Sequence, residues 1–151
     1  FSVFPEHDRV LVIIKGEGVG LTHTFEPDAE DYIEVQPFVP YEFPGDVPSR
    51  CELLSGAVTD LSLFVRKGQV EAQVNVAEVP SAQPFSWSPQ GRTNFVFAAQ
   101  GAVSIGPNEQ GQVSDLSEGD TFRLEFNRSS DDFSLMIKAK SPLAKIITIS
   151  L

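Results

Sequence analysis

The chain has 151 residues, 21 of them acidic and 11 basic, for a formal charge of −10. That balance repels phosphate backbones and anionic lipid, so neither nucleic acid nor a membrane surface is an expected partner, whereas a small anion held by one or two arginines remains compatible. One cysteine allows no internal disulfide, and no apolar run approaches the roughly 20 residues needed to cross a bilayer.

Apolar residues make up 41% of the chain and include 12 Phe, enough for the core of one domain or of two small modules. The first residue is Phe1 and no signal-peptide pattern follows, which suggests a clipped chain and a reducing, cytoplasmic location.

In chain order the first clear element is Val10-Leu-Val-Ile-Ile14, continuously apolar and β-branched, predicted as a strand buried on both faces. Gly16-Glu-Gly18 closes a hairpin, and Pro27-Asp28, Pro44-Gly45-Asp46 and Lys67-Gly68 mark further turns. Val70-Glu-Ala-Gln-Val74-Asn-Val76 and Phe122-Arg-Leu124-Glu-Phe126 alternate with period two, the pattern of strands wet on one face. Val79 to Arg92 holds three prolines, Phe85 and the only tryptophan, Trp87, and reads as a connection whose aromatics want burial. Gly106-Pro107-Asn108 and Glu118-Gly119-Asp120 are turns, and Phe133 to Lys138 and Lys145 to Leu151 are further strands. Helical periodicity is nearly absent, and many short strands between regular turns indicate an all-β sandwich or barrel.

The halves repeat one design. Asp8 to Leu21 and Arg92 to Ile105 each form a hairpin with an apolar first arm, and a Gly-Asp turn follows each, at Gly45-Asp46 and Gly119-Asp120. Two similar β units are expected, residues 1–80 and 81–151.

Candidate chemistry is sparse. A metal centre needs about three convergent donors. The chain has two histidines, His7 and His23, and no His-x-His, so no metal and no cofactor are expected. Cys51 beside Arg50 has no motif that supplies a base and reads as a small buried hydrophobe rather than a nucleophile. Asp28-Ala-Glu30-Asp31 and Asp131-Asp132 read as solvated loop charges, and Gly16 to Gly20 is not a phosphate loop, since no helix follows it.

Phe1-Ser-Val-Phe-Pro5, Asp8-Arg9, Lys15-Gly-Glu-Gly18, the block Phe43-Pro-Gly-Asp-Val-Pro-Ser-Arg-Cys-Glu-Leu-Leu-Ser-Gly56 and Asp60-Leu-Ser-Leu-Phe-Val-Arg66 together resemble the HutD/Ves family of bicupins. The resemblance is strong in the first half and looser towards the C-terminus. It implies two jelly-roll-like cupin β-barrels packed in one compact unit. It also implies a role in tuning or limiting histidine utilisation by binding a carboxylate intermediate such as N-formylglutamate or urocanate. Members usually carry an N-terminal Trp-Lys-Asn-Gly-Gly-Gly segment that is not present here, so a strand and part of a pocket are expected to be lacking. Where Ser62 stands the family more often has Asn.

Arg9, Arg50 and Arg66 fall inside these blocks. An arginine facing a barrel interior needs an anionic partner to offset lost hydration, and that partner is either a carboxylate of the fold, such as Asp8, Asp46 or Asp60, or a ligand. The ligand-binding candidates are therefore Arg9, Arg50 and Arg66 with aromatic walls at Phe1 and Phe4. In the block around Cys51, alternate residues face in and out, which leaves open whether Arg50 or its neighbour points to the pocket.

The expected function is non-catalytic binding of a small carboxylate, with a homodimer as a candidate assembly. Two alternatives stand beside it. One is a metal-independent isomerase or epimerase drawing its acid and base from His7, His23, Tyr32 and Tyr41. The other is a structural or interaction module.

Overall fold

A computed structural model of the chain describes residues 1–26, 29–107, 111–126 and 133–151. Among the described residues it contains fourteen strands and no helix. No helix is long and apolar enough to cross a membrane. Asp28, Asn108 and Asp131-Asp132, singled out in the sequence, lie outside the described residues.

The chain divides into two compact units, Phe1–Glu71 and Ala72–Leu151. The first is built from β1 (His7–Lys15), β2 (Val19–Glu26), β3 (Ala29–Val35), β4 (Tyr41–Pro44), β5 (Ser49–Leu53) and β6 (Thr59–Arg66). They form two antiparallel sheets ordered β4-β1-β6 and β3-β2-β5. One face of each sheet supplies the core of Leu11, Ile13, Val19, Leu21, Val35 and Phe43. Val10 to Ile13 are all buried, as the unbroken apolar run requires. The tight β1–β2 connection depends on Gly16 and Gly18, both at positive φ (95° and 106°).

The second unit comprises β7 (Gln73–Val79), β8 (Phe85–Trp87), β9 (Thr93–Gln100), β10 (Val103–Gly106), β11 (Ser114–Leu116), β12 (Thr121–Glu125), β13 (Leu135–Ala139) and β14 (Ala144–Ser150). Its sheets run β12-β9-β14-β7 and β11-β10-β13-β8. The connection read between Val79 and Arg92 contains a strand of its own, β8, which pairs with β13 and buries Trp87. Pairing with β14 places β7 in this unit, and β7 begins only at Gln73, after the half-exposed Val70.

Strand order shows the duplication directly: β1 to β6 correspond to β9 to β14, with β7 and β8 added at the outer edges of the second unit. Even a bulge is repeated. It falls between Ile13 and Lys15 in β1 and between Ala98 and Gln100 in β9. The two Gly-Asp turns are not counterparts, however, because Gly45-Asp46 follows β4 whereas Gly119-Asp120 precedes β12, the strand equivalent to β4.

Gly45 fixes the chain segment in front of β1. Its N–H donates to the His7 carbonyl (2.8 Å) and its carbonyl accepts from the Phe4 N–H (2.7 Å). A Cβ there would stand 2.8 Å from the His7 oxygen and 3.1 Å from the Phe4 oxygen. Gly45→Ala is expected to cost about 1–3 kcal/mol and to loosen residues Phe1 to Pro5. Urea denaturation measures the first effect and proteolysis near the N-terminus the second.

Candidate functional site

Strand parity decides what the first unit presents at the end of its sandwich. On β1, Arg9 alternates with Leu11 and Ile13 and so shares the core face. Its register partners are Phe43 on β4 and Phe64 on β6. Arg9 is only 5% exposed. Phe1 lies 3.8 Å from its guanidinium carbon, Phe64 5.0 Å and Phe43 5.5 Å, so three aromatic faces surround the cation. Phe4 packs against Phe64 with the ring centroids 4.3 Å apart and the planes tilted by 47°, and extends that wall.

The polar contacts of Arg9 are few. Nη2 donates to Ser62 Oγ (2.8 Å), and Ser62 Oγ donates to Asp60 Oδ2 (2.8 Å). The hydroxyl therefore stands between cation and carboxylate. Arg9 Nε is buried with no hydrogen-bond partner. Burial pushes the pKa of Arg9 down, against the pull of Asp60, yet a guanidinium stays protonated in protein. The result is a buried cation with unspent donors.

A second polar cluster occupies the same interior. His23, 1% exposed, lies two residues beyond Leu21 on the inner face of β2 and pairs with Ser49 on β5. His23 Nδ1 is 2.7 Å from Ser49 Oγ, His23 Nε2 is 3.0 Å from Tyr41 Oη, and Ser49 Oγ donates to the Val47 carbonyl at 3.0 Å. Phe43 packs against His23 at 4.9 Å and Tyr41 at 5.6 Å, so one ring borders both clusters. Burial holds the His23 pKa below the ordinary imidazole value, with Asp31 opposing.

His23 is therefore neutral in the fold, and an unfolded imidazole takes up a proton that the native one resists. Stability is expected to fall as the pH drops below about 6.5 and to level off once the native residue itself protonates. Urea midpoints measured across that window for the wild type and His23→Gln check this; the variant should lose the slope.

The other sequence candidates stand apart. Cys51 packs against the core and burial raises its thiol pKa, so by parity Arg50 points out of the opposite face, 3.5 Å from Thr22 Oγ1. Arg66 pairs with Glu6 (3.5 Å) at an open cleft of about 370 Å³ shared with Asp46, Lys67 and Gln69. His7 Nδ1 is turned back to the Pro5 carbonyl (2.7 Å), and exposed Tyr32 bonds Glu52. The structure thus gathers Phe1, Phe4 and Arg9 but neither Arg50 nor Arg66. Among the described residues no group of three or more His, Cys, Asp or Glu is placed to hold a metal ion.

The second unit shows what the same positions look like when filled. In register, Arg9 corresponds to Asn94, Phe43 to Leu124, Tyr41 to Phe122 and Asp60 to Ile146. Ser49 and Cys51 correspond to Leu135 and Ile137. All but Asn94 belong to the apolar core of that unit. Asn94 is fully buried and closed on Gly91, donating to its carbonyl (2.7 Å) and accepting from its N–H (3.2 Å).

The model of one family, HutD, matches residues 1–144. The chain belongs to the HutD family. That family is named for histidine utilisation, and the resemblance read from Phe1 to Pro5, Asp8-Arg9, Lys15 to Gly18, the Phe43 to Gly56 block and Asp60 to Arg66 is confirmed. Comparison with curated protein sequences gives no match. Among solved structures, a conserved Pseudomonas aeruginosa protein of unknown function superposes with a TM-score of 0.80 at 21% identity, over 99% of this chain and 72% of that one. HutD from Pseudomonas fluorescens gives 0.68 at 22%, over 99% and 71%. Vicilin from hazelnut, Corylus avellana, gives 0.54 at 9%, over 97% and 69%. At these identities the likeness is one of fold, and the fold is the double cupin expected from the sequence, each module being a pair of facing sheets.

Proposed function

We propose that this HutD-family chain is a non-catalytic, cytoplasmic binding protein that modulates histidine utilisation by holding a small carboxylate, such as N-formylglutamate or urocanate, in its first module. The observation that carries the reading is Arg9, a buried guanidinium with an unpartnered Nε and no directly bonded carboxylate. A carboxylate accepts from a guanidinium through two parallel hydrogen bonds, and its charge offsets the hydration that Arg9 has lost. Phe1, Phe4 and Phe64 supply an apolar rim for the rest of such a ligand. The corresponding core of the second module is apolar, and Asn94, the counterpart of Arg9, is already closed on Gly91.

The test is thermal shift with N-formylglutamate and urocanate. Ligand at about 100 times its dissociation constant adds about 2.7 kcal/mol, a rise on the order of 5–10 °C for a chain of this size. Arg50→Ala should respond like the wild type. Arg9→Lys keeps the charge but loses the planar fork, so its response should shrink. No shift with either acid, or a response lost in Arg50→Ala and kept in Arg9→Lys, overturns the reading.

A further inference from the structure

We propose that Tyr41 Oη is the second ligand contact of the first module and that it acts as an acceptor, so the acid held by Arg9 must also carry an N–H or O–H donor. The inference rests on the carboxylate reading of Arg9 and follows from counting protons. Ser49 has one hydroxyl proton, and it goes to the Val47 carbonyl. Towards His23 Nδ1, Ser49 Oγ can then only accept, which places the imidazole proton on Nδ1.

A neutral imidazole protonated at Nδ1 has Nε2 as its acceptor, and the Tyr41 hydroxyl must donate to it. Tyr41 Oη is left with lone pairs and no proton to offer. A doubly protonated His23 would reverse this polarity, but burial opposes it, and only Asp31 on β3 pulls the other way.

Placement fits a second contact. Tyr41 and Arg9 share the inner face of neighbouring antiparallel strands, with Arg9 opposite Phe43 and Leu11 opposite Tyr41. Such diagonal neighbours stand about 7–8 Å apart, and Phe43, opposite Arg9 on the strand that carries Tyr41, packs beside both. A ligand whose carboxylate and donor are separated by a few bonds spans that gap. An N-acyl amino acid meets the requirement with its amide N–H, and a carboxylate-bearing imidazole meets it with its ring N–H. A simple keto acid does not.

The probes are N-formyl-L-glutamate and its isosteric ester analogue, O-formyl-2-hydroxyglutarate, in which oxygen replaces the N–H. Both are titrated calorimetrically against the wild type and Tyr41→Phe. The amide should bind the wild type about tenfold more tightly than the ester, and the difference should vanish in Tyr41→Phe, which keeps the ring. Equal binding of both acids by the wild type overturns the proposal and leaves the Arg9 reading standing. A preference that persists in Tyr41→Phe overturns it as well. Binding of neither acid sinks both readings. Independently of any ligand, nitrogen NMR of the His23 ring should show the proton on Nδ1, and an Nε2-protonated ring overturns the proposal even if Tyr41→Phe fails to fold.

Discussion

Replacing Arg9 with methionine is expected to abolish the response to acids while leaving folding stability unchanged or higher. The two effects have the same origin. Arg9 is buried with an unpartnered Nε and one neutral hydrogen-bond partner, so the fold bears the desolvation of a charge without a matching ion pair. An apolar side chain of similar reach removes that penalty, and such exchanges are neutral or stabilise by about 1–4 kcal/mol. Little is orphaned, because Ser62 keeps its bond to Asp60, which is exposed to water. Deleting one partner of a desolvated charge pair costs about 2–5 kcal/mol of binding, so acid affinity should fall by about 30-fold or more. Urea denaturation and calorimetric titration of one preparation read both numbers. A destabilised Arg9→Met would mean that the guanidinium serves the fold rather than a ligand.

The second large effect lies in the other module. Ile146→Asp gives β14 the residue that Asp60 provides at the equivalent place on β6. There the carboxylate reaches water and Ser62, whereas Ile146 is fully buried among Val96, Ala98, Ile105 and Ile137. An unpaired charge in such a place costs more than about 4 kcal/mol, enough to unfold the module at room temperature. The reciprocal Asp60→Ile should change stability by less than about 1 kcal/mol, since its side chain stands at an exposed position. Far-ultraviolet circular dichroism on heating distinguishes the pair, and equal losses would contradict the asymmetry between the two interiors.

That asymmetry was only half visible in the sequence. Several strands announced themselves: Val10 to Ile14 by an unbroken apolar run, and Phe122 to Phe126 and Lys145 to Leu151 by their side-chain pattern. β3 and β4 did not, because exposed polar residues such as Glu30, Asp31 and Glu42 break up their apolar positions. Arg9 could be chosen as a site residue because a charge in front of an apolar strand is conspicuous. Arg50 could not be separated from Cys51, since parity within a strand is known but phase is not. The phase is set by Leu21, which pairs with Cys51 and draws it inward.

The Tyr41–His23–Ser49 chain was hidden for a different reason. Its members sit on three strands that become neighbours only once β2 pairs with β5 and the two sheets face each other. No spacing along the chain encodes that meeting. Asn94 was equally silent, because nothing local marks it as the counterpart of Arg9; the repeated bulge in β1 and β9 does.

The outermost position of β3 has a consequence for crowded solutions. Its far side presents unpaired peptide groups to which another copy could zip, extending the sheet from molecule to molecule. Glu30, Asp31 and Glu34 stand along that strand, all exposed, so an approaching duplicate would bring like charges together at three of its seven positions. Fibril-like growth is discouraged by electrostatics rather than by covering the strand, and concentrated salt is the condition under which that protection weakens.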